Sequence, residues 1–289
     1  MSKIFSRTFR VRWSELDAGG QVSPASYLRY LVETAYDWGD ALGLGAKNDQ
    51  ALGLFWLIRE TEISLLRPLR HNDLFDFTIW MINWQRVRGT RCFELTLKES
   101  GEVIARGTQH IVCMDSQTLR PASPPEAIID NFRLEAPRVF PFERFPKLPA
   151  VPGAVFNDQR QVEWQDLDAL EHVNNAIYVT YAEEAAARHL ASLGWTPQRL
   201  VEENIRLATR RLQIQYLSPA VWGETLTIST HLLELQSDGG SRYVGMTRAD
   251  GSLVAECILD WAALERQSGA ERQLPVELFE ALKKEEAGG

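Results

Sequence analysis

The stretch VRWSELDAGGQVSPASYLRYLVETAYDWGDALG, residues 11–43, decides the fold, because the chain writes it again as VEWQDLDALEHVNNAIYVTYAEEAAARHLASLG at residues 162–194. A shift of 151 positions, the separation of Val11 and Val162, makes Trp13/Trp164, Leu16/Leu167, Asp17/Asp168 and Ala18/Ala169 identical pairs. Val22/Val173, Tyr27/Tyr178, Tyr30/Tyr181, Glu33/Glu184 and Gly43/Gly194 follow in the same register. The register holds without a gap through Ile63/Ile214 and Pro68/Pro219. After one dropped residue, GEVIARGTQHIVCMD (101–115) lies over GSLVAECILDWAALE (251–265). Two copies of this length are a duplicated domain and not a solenoid.

Each copy has the same coarse order. A short strand (RTFRVRW, RQVEWQD) leads through a polar loop into a helix of about five turns. Four strand-like segments follow, beginning at Phe55, Asp73, Arg91 and Glu102 in copy one and at Arg206, Glu224, Ser241 and Ser252 in copy two. Alternation such as Ile63, Leu65 and Phe75, Phe77, Ile79 marks half-buried strands. VRGT (87–90) and SDGGS (237–241) are hairpin signals. One helix followed by a run of antiparallel strands is an α+β pattern. Both helices are apolar or small around most of their circumference, which suits a helix wrapped by a curved sheet. Gly43 and Gly194 stand where a C-terminal cap is expected. Residues 120–156 hold eight prolines and one possible short helix at PEAIIDNF, and read as a crossover linker. The expected division is domain one at 1–119, linker at 120–156 and domain two at 157–289.

Whole-chain properties narrow the function classes. A net charge of −8 with no basic stripe argues against a nucleic-acid binder. No apolar run approaches a membrane span and no secretory h-region opens the chain, so a soluble cytoplasmic protein without membrane contact is expected. Cys92, Cys113 and Cys257 are odd in number, lack metal-type spacing and sit in strand-like segments, as buried free thiols do. No cofactor or metal is expected, and no GxSxG motif supports a serine-hydrolase route.

The pattern strand, D-A-x-G/E-x-V-x-x-x-x-Y, long helix and four strands resembles the hotdog-fold thioesterases. DLDALEHVNNAIYVTYAEEA of copy two is similar to acyl-CoA thioesterases of the 4-hydroxybenzoyl-CoA type. The tandem arrangement, with its RPLRHND and SPAVWGE turns and Pro-rich linker, resembles the acyl-ACP thioesterases. The resemblance implies two hotdog domains in tandem, each a long helix wrapped by a curved antiparallel sheet, forming an intrachain pseudo-dimer. A further homodimer is left open. It also implies hydrolysis of an acyl-CoA or acyl-ACP thioester in fatty acid metabolism. Plant acyl-ACP enzymes usually carry Asn two positions before the motif's His, and a later Glu. Here Leu170 holds the first position and Glu224 is the first acid in the SPAVWGE turn, which favours a simpler Asp-based site.

Thioester hydrolysis needs a carboxylate to activate water or attack the carbonyl, and donors for the developing oxyanion. In the family the Asp precedes the helix and a backbone N–H seven residues on serves the oxyanion. Both copies supply the Asp, as Asp17 and Asp168. Seven residues on stands Asn175 in copy two, which has an N–H, and Pro24 in copy one, which has none. Loss of one oxyanion donor costs roughly 2.7–4 kcal/mol of transition-state stabilisation. Copy one also has Gln21 for His172 and Ser23 for Asn174. Copy two is therefore expected to carry the chemistry, with Asp168, His172, Asn174 and Asn175 as its site, and Asp17 as the degraded counterpart.

Each of these residues has a plainer alternative. Asp168 could merely satisfy loop N–H groups. His172 orients Asp168, binds substrate or only packs. Asn174 is a helix N-cap or a substrate contact, and Asn175 matters through its backbone. Asp166, paired with Glu15, is expected to be a solvated loop acid. Glu184 is either buried and hydrogen-bonded or catalytic, and Tyr27 and Tyr178 are core with partnered hydroxyls. Arg86, Arg88 and Arg91, or Arg206, Arg210 and Arg211, either hold CoA phosphates or form solvated basic edges. Phe55, Trp56, Trp80 and Trp84 line an acyl tunnel or fill the core. Two rival functions stay open: a hotdog hydratase or dehydratase acting on enoyl or hydroxyacyl thioesters, whose usual NP before the His is absent here, and a non-catalytic acyl-thioester binder. The net charge mildly disfavours docking of an acidic carrier protein.

Overall fold

A computed structural model describes residues 3–43, 52–147 and 155–287. The chain divides into two compact units, residues 1–143 and 144–289. Unit 1 runs β1 (Ile4–Arg10), α1 (Pro24–Ala41), β2 (Leu54–Leu65), β3 (Leu74–Gln85), β4 (Arg88–Leu97), β5 (Val103–Asp115) and α2 (Glu126–Phe132). Within it β1 pairs with β3, β3 with β4, β4 with β5 and β5 with β2, every pair antiparallel. Unit 2 runs β6 (Phe156–Gln161), α3 (Asn175–Ser192), α4 (Pro197–Glu202), β7 (Ile205–Tyr216), β8 (Thr225–Gln236), β9 (Gly239–Thr247), β10 (Leu253–Glu265) and α5 (Val276–Ala287). Its pairings, β6–β8–β9–β10–β7, repeat those of unit 1 strand for strand.

The strands differ from the sequence expectation at one place in each copy. The first strand ends earlier, and Trp13–Glu15 and Trp164–Asp166 instead form single 3₁₀ turns. Each turn is closed by its own acid: the Glu15 carboxylate accepts the Arg12 N–H at 2.6 Å, and that of Asp166 accepts the Glu163 N–H at 2.9 Å. These side-chain to backbone bonds outcompete the extended conformation.

Sheet and helix meet in one apolar layer per unit. Phe75, Phe77, Ile79, Phe93 and Leu95 are fully buried on alternate positions of β3 and β4. They face the stripe Tyr27, Leu31, Thr34 and Trp38 of α1, spaced three and four apart as one helix face requires. Burial of each large apolar side chain contributes about 1.5–3 kcal/mol. Irregularities between Met81 and Asn83 in β3, and between Leu232 and Glu234 in β8, fall at equivalent positions and help the sheet curve. Gly107 has to be glycine, because a Cβ there would lie 2.1 Å from the Glu62 carbonyl and 2.4 Å from the Phe93 ring. Gly43 and Gly194 cap α1 and α3 at φ +72° and +81°. Cys92, Cys113 and Cys257 are buried free thiols.

The helix expected at PEAIIDNF is α2, and Trp38 packs edge-on against its Phe132 at 4.8 Å. Residues 133–143, part of the segment read as linker, then run across unit 1. Trp80 Nε1 donates to the Arg138 carbonyl at 2.7 Å, the Arg138 guanidinium pairs with Glu94, and Phe140 packs edge-on against Trp80 as Phe142 does against His110. Trp80 is thus committed to this crossing segment, not to an acyl tunnel. The linker reading over residues 148–154 lies outside the described residues. Unit 2 adds an element that the sequence reading did not include. Its C-terminal helix α5 inserts Leu278 and Leu282 into a cluster with Leu190, Trp195 and Ala263. Among the described residues no helix is long and apolar enough to cross a membrane.

Candidate active site at the start of the second long helix

The loop Leu167–Asn174 is held before it can serve any chemistry. Leu167 bridges to Val173, the Asp168 N–H donates to the His172 carbonyl, and the Glu171 N–H donates to the Asp168 carbonyl at 3.0 Å. Glu171 sits at φ +62°, where its counterpart Gly20 sits at +74°. A non-glycine residue in the left-handed region costs about 1–2 kcal/mol, so the surrounding bonds over-determine this turn. The loop is stapled to its helix by Asp166: the Tyr181 hydroxyl donates to its carboxylate at 2.6 Å, and the Asn174 N–H to its carbonyl at 2.9 Å. Unit 1 repeats the staple with Tyr30 on the Glu15 carboxylate at 2.5 Å and the Ser23 N–H on its carbonyl. Burial first, and the adjacent carboxylate second, push both tyrosine hydroxyls well above their ordinary range. Asp166 is only 4% exposed, so the expectation of a solvated loop acid is corrected. A loop residue with two donors converging on it can be buried at little cost.

Asp168 itself is half-buried and held lightly. Its Oδ1 accepts the Leu170 N–H at 2.9 Å and lies 3.8 Å from His172 Nδ1. No hydrogen-bond donor reaches its Oδ2 among the described residues. In unit 1, by contrast, Asp17 Oδ1 takes the Gly19 N–H at 2.7 Å and the Gln21 N–H at 3.3 Å. The carboxylate there is spent more fully on its own loop.

The helix start differs between the units in the way that matters most for an oxyanion. At the N-terminus of α3 the Asn174 N–H goes to Asp166, the Ala176 N–H to the Asn174 side chain at 2.9 Å, and the Ile177 N–H to the Asn174 carbonyl at 2.8 Å. Asn174 is therefore the N-cap. Only the Asn175 N–H among these four is left without a partner among the described residues. An open N–H at the positive end of a helix is a ready donor for an oxygen that gains negative charge. In α1 the same position is Pro24, which has no N–H, and Ser23 makes no side-chain cap.

Tyr27 and Tyr178 are core, and their hydroxyls accept the N–H groups of Leu69 at 3.1 Å and Ala220 at 3.0 Å. Burial pushes the Tyr178 hydroxyl up to about 12 even though the Ala220 N–H works against it.

Against this geometry the family match is decisive: the thioesterase-like superfamily matches residues 11–132 and again 162–282. The chain belongs to that superfamily. A dodecanoyl-[acyl-carrier-protein] hydrolase of Umbellularia californica is 24% identical over 263 residues, 83% of this chain and 66% of that protein. The long-chain acyl-CoA thioesterase FadM of Escherichia coli is 29% identical over 128 residues, 43% of this chain and 94% of that protein. The solved structure of a 12:0-ACP thioesterase from Umbellularia californica superimposes with a TM-score of 0.73 at 20% identity, covering 91% of this chain and 98% of that one. The likeness extends to the whole tandem fold: this thioesterase-like chain is α+β, with two hotdog domains. The chain spans less than two thirds of the length of the first plant relatives it matches, 66% and 47% in the first two.

Other residues of this superfamily member lie elsewhere than expected. Glu184 and Glu33 are exposed and pair with Arg188 and Arg7 at the surface, so neither is buried. Arg91, whose Nε and Nη2 both donate to Oε1 of Gln109, is lowered to about 10 by burial and does not join Arg86 and Arg88 in a basic edge. Arg210 and Arg211 are engaged by Glu271 and Asp260. Trp56 and Trp84 pack edge-on at 5.3 Å, with the Trp84 ring over Gly89. The residue that sequence reasoning missed at the site is Tyr216, whose hydroxyl donates to the Asn175 carbonyl at 3.0 Å. Its copy-one counterpart is Leu65, and that difference was the available signal.

Proposed function

We propose that the chain hydrolyses acyl thioesters at the start of α3. Asp168 is the general base or nucleophile, and the Asn175 N–H is the oxyanion donor. The observation that carries this reading is the combination of a carboxylate with one uncommitted oxygen and a single open N–H at a helix start. The family and its named relatives, which include an acyl-carrier-protein hydrolase and an acyl-CoA thioesterase, support it.

The thioester carbonyl oxygen is received by the Asn175 N–H, where the helix dipole favours the charge it acquires. Asp168 either removes a proton from the attacking water or attacks the carbonyl carbon itself. In the first route water adds to the acyl carbon as the C–S bond breaks. In the second the C–S bond is replaced by an anhydride bond to Asp168, which water then cleaves to the free acid and the restored carboxylate. In both the thiolate takes up a proton. His172, beside Asp168, orients the carboxylate. The carrier is CoA or an acyl carrier protein, since relatives of both kinds match.

The test is release of free thiol from acyl-CoA and acyl-carrier-protein substrates of graded chain length. Thiol release with one carrier names the substrate class. Hydration of an enoyl thioester without thiol release would replace this reading with a hydratase, and thioester binding without turnover would leave a binding protein.

A further inference from the structure

We propose that Tyr216 is a positioning residue for the oxyanion donor: its hydroxyl fixes the peptide that follows Asn175, and through it the direction of the Asn175 N–H. This inference rests on the thioesterase reading above.

The geometry is a clamp on one peptide unit. The Asn175 carbonyl and the Ala176 N–H belong to the same planar group. The carbonyl accepts from the Tyr216 hydroxyl at 3.0 Å, and the N–H donates to the Asn174 side chain at 2.9 Å. The peptide on the other side, which carries the Asn175 N–H itself, is held as well, because the Asn174 carbonyl accepts the Ile177 N–H at 2.8 Å. The Asn175 N–H thus belongs to one pinned peptide, is followed directly by the one that Tyr216 holds, and is itself open. A donor that needs no reorganisation when charge develops is worth most to a transition state. A helix start is also where the chain frays most readily, so an anchor there has a purpose.

The two copies give an independent argument. Tyr216 aligns with Leu65, and Asn175 aligns with Pro24. The copy that lacks the open N–H also lacks the hydroxyl that orients it. The scaffold around the two positions is otherwise retained: Tyr27/Tyr178 hydroxyls on the following loop, and Tyr30/Tyr181 hydroxyls on the preceding one, occur in both units. A hydroxyl needed only to hold the fold would have had the same use in unit 1. The half-buried Tyr216 ring packs edge-on against Tyr178 at 5.7 Å, and desolvation pushes its hydroxyl well above the ordinary value of 10, so it is a donor at neutral pH.

The experiment is a double-mutant cycle with Tyr216→Phe and Asn175→Pro, read as kcat and KM for thioester hydrolysis. Phenylalanine keeps the ring and removes only the hydroxyl. The expected result is a fall in kcat of about tenfold with KM nearly unchanged, the pattern of an interaction realised in the transition state. In the Asn175→Pro background, where there is no N–H to orient, Tyr216→Phe should have no further effect on kcat. An equal fall in both backgrounds would mean a merely structural role and overturn the inference. No fall for Tyr216→Phe, with Asn175→Pro impaired, would overturn the inference and leave the oxyanion assignment standing. An unimpaired Asn175→Pro would remove both.

Discussion

The Nδ1 of His172 stands 3.8 Å from Oδ1 of Asp168, the same oxygen that accepts the Leu170 N–H. That is beyond a hydrogen bond but close enough to bias which way the carboxylate turns. The Oδ2 oxygen has no donor among the described residues. His172→Gln installs the residue found at Gln21 in the first copy and should lower kcat by about tenfold, roughly 1.4 kcal/mol. Steady-state kinetics check this, with KM expected to change little. A loss as large as that of Asp168→Asn would make His172 a proton-transfer group in its own right.

Asn175→Pro tests the proposed oxyanion donor in a single change. Proline is favoured at the first helical position. The residue before it, Asn174 at φ −59° and ψ 138°, already has the conformation that a following proline requires. The N–H removed has no partner to lose. The fold should survive, while kcat falls by roughly 10²–10³-fold. Asn175→Ala keeps the N–H and should retain most activity. Kinetics and a thermal midpoint on both variants provide the check, and comparable losses in the two would shift the role to the Asn175 side chain.

The buried staple makes a stability prediction. Tyr181→Phe leaves the Asp166 carboxylate with one donor in place of two in a site that water reaches poorly. The cost should be about 1–3 kcal/mol. Tyr30→Phe strands the more accessible Glu15, which water can serve, and should cost less. Urea midpoints of the two variants give the order. A larger loss for Tyr30→Phe would contradict it.

His189 sets a pH dependence. Its Nδ1 lies 2.7 Å from an Arg242 guanidinium nitrogen, which can only donate, so the buried imidazole accepts and is neutral. Burial first, and Arg242 second, lower it from 6.5 to about 4. As pH falls below 6.5 the unfolded chain takes up a proton that the folded chain refuses until about 4, and stability is lost across that window. His189→Gln keeps an acceptor for Arg242 and removes the proton, so its stability should decline less between those two pH values. Denaturation followed at several pH values checks this. Parallel profiles for wild type and variant would contradict it.

What was legible in the sequence follows from what repeats. The shift of 151 aligned Asp17 with Asp168 and Pro24 with Asn175, so the fold, both long helices and the asymmetry of their starts could be read before any coordinates. Burial inside an irregular loop has no period, and that is why Asp166 was misjudged. Glu184 was misplaced because AEEAAAR is too uniform to set the phase of the helix. The structure sets it through Tyr181, Ala182, Ala185 and His189, which leaves Glu184 on the opposite side. Helix α5 did carry a signal, Leu278 and Leu282 four apart, but lay beyond the last matched segment. Tyr216 is separated from Asn175 by 41 residues, and no local pattern connects a strand end to a helix start at that distance.

The central claim, that the chemistry belongs to the second copy, is tested most directly by thioester hydrolysis measured side by side for wild type, Asp17→Asn and Asp168→Asn. Asparagine preserves size and leaves an oxygen to accept the loop N–H groups in either unit. The account predicts that Asp168→Asn loses about 10²–10⁴-fold in kcat while Asp17→Asn stays close to wild type. Loss of turnover in Asp17→Asn with Asp168→Asn active would contradict it and move the working site to the first copy.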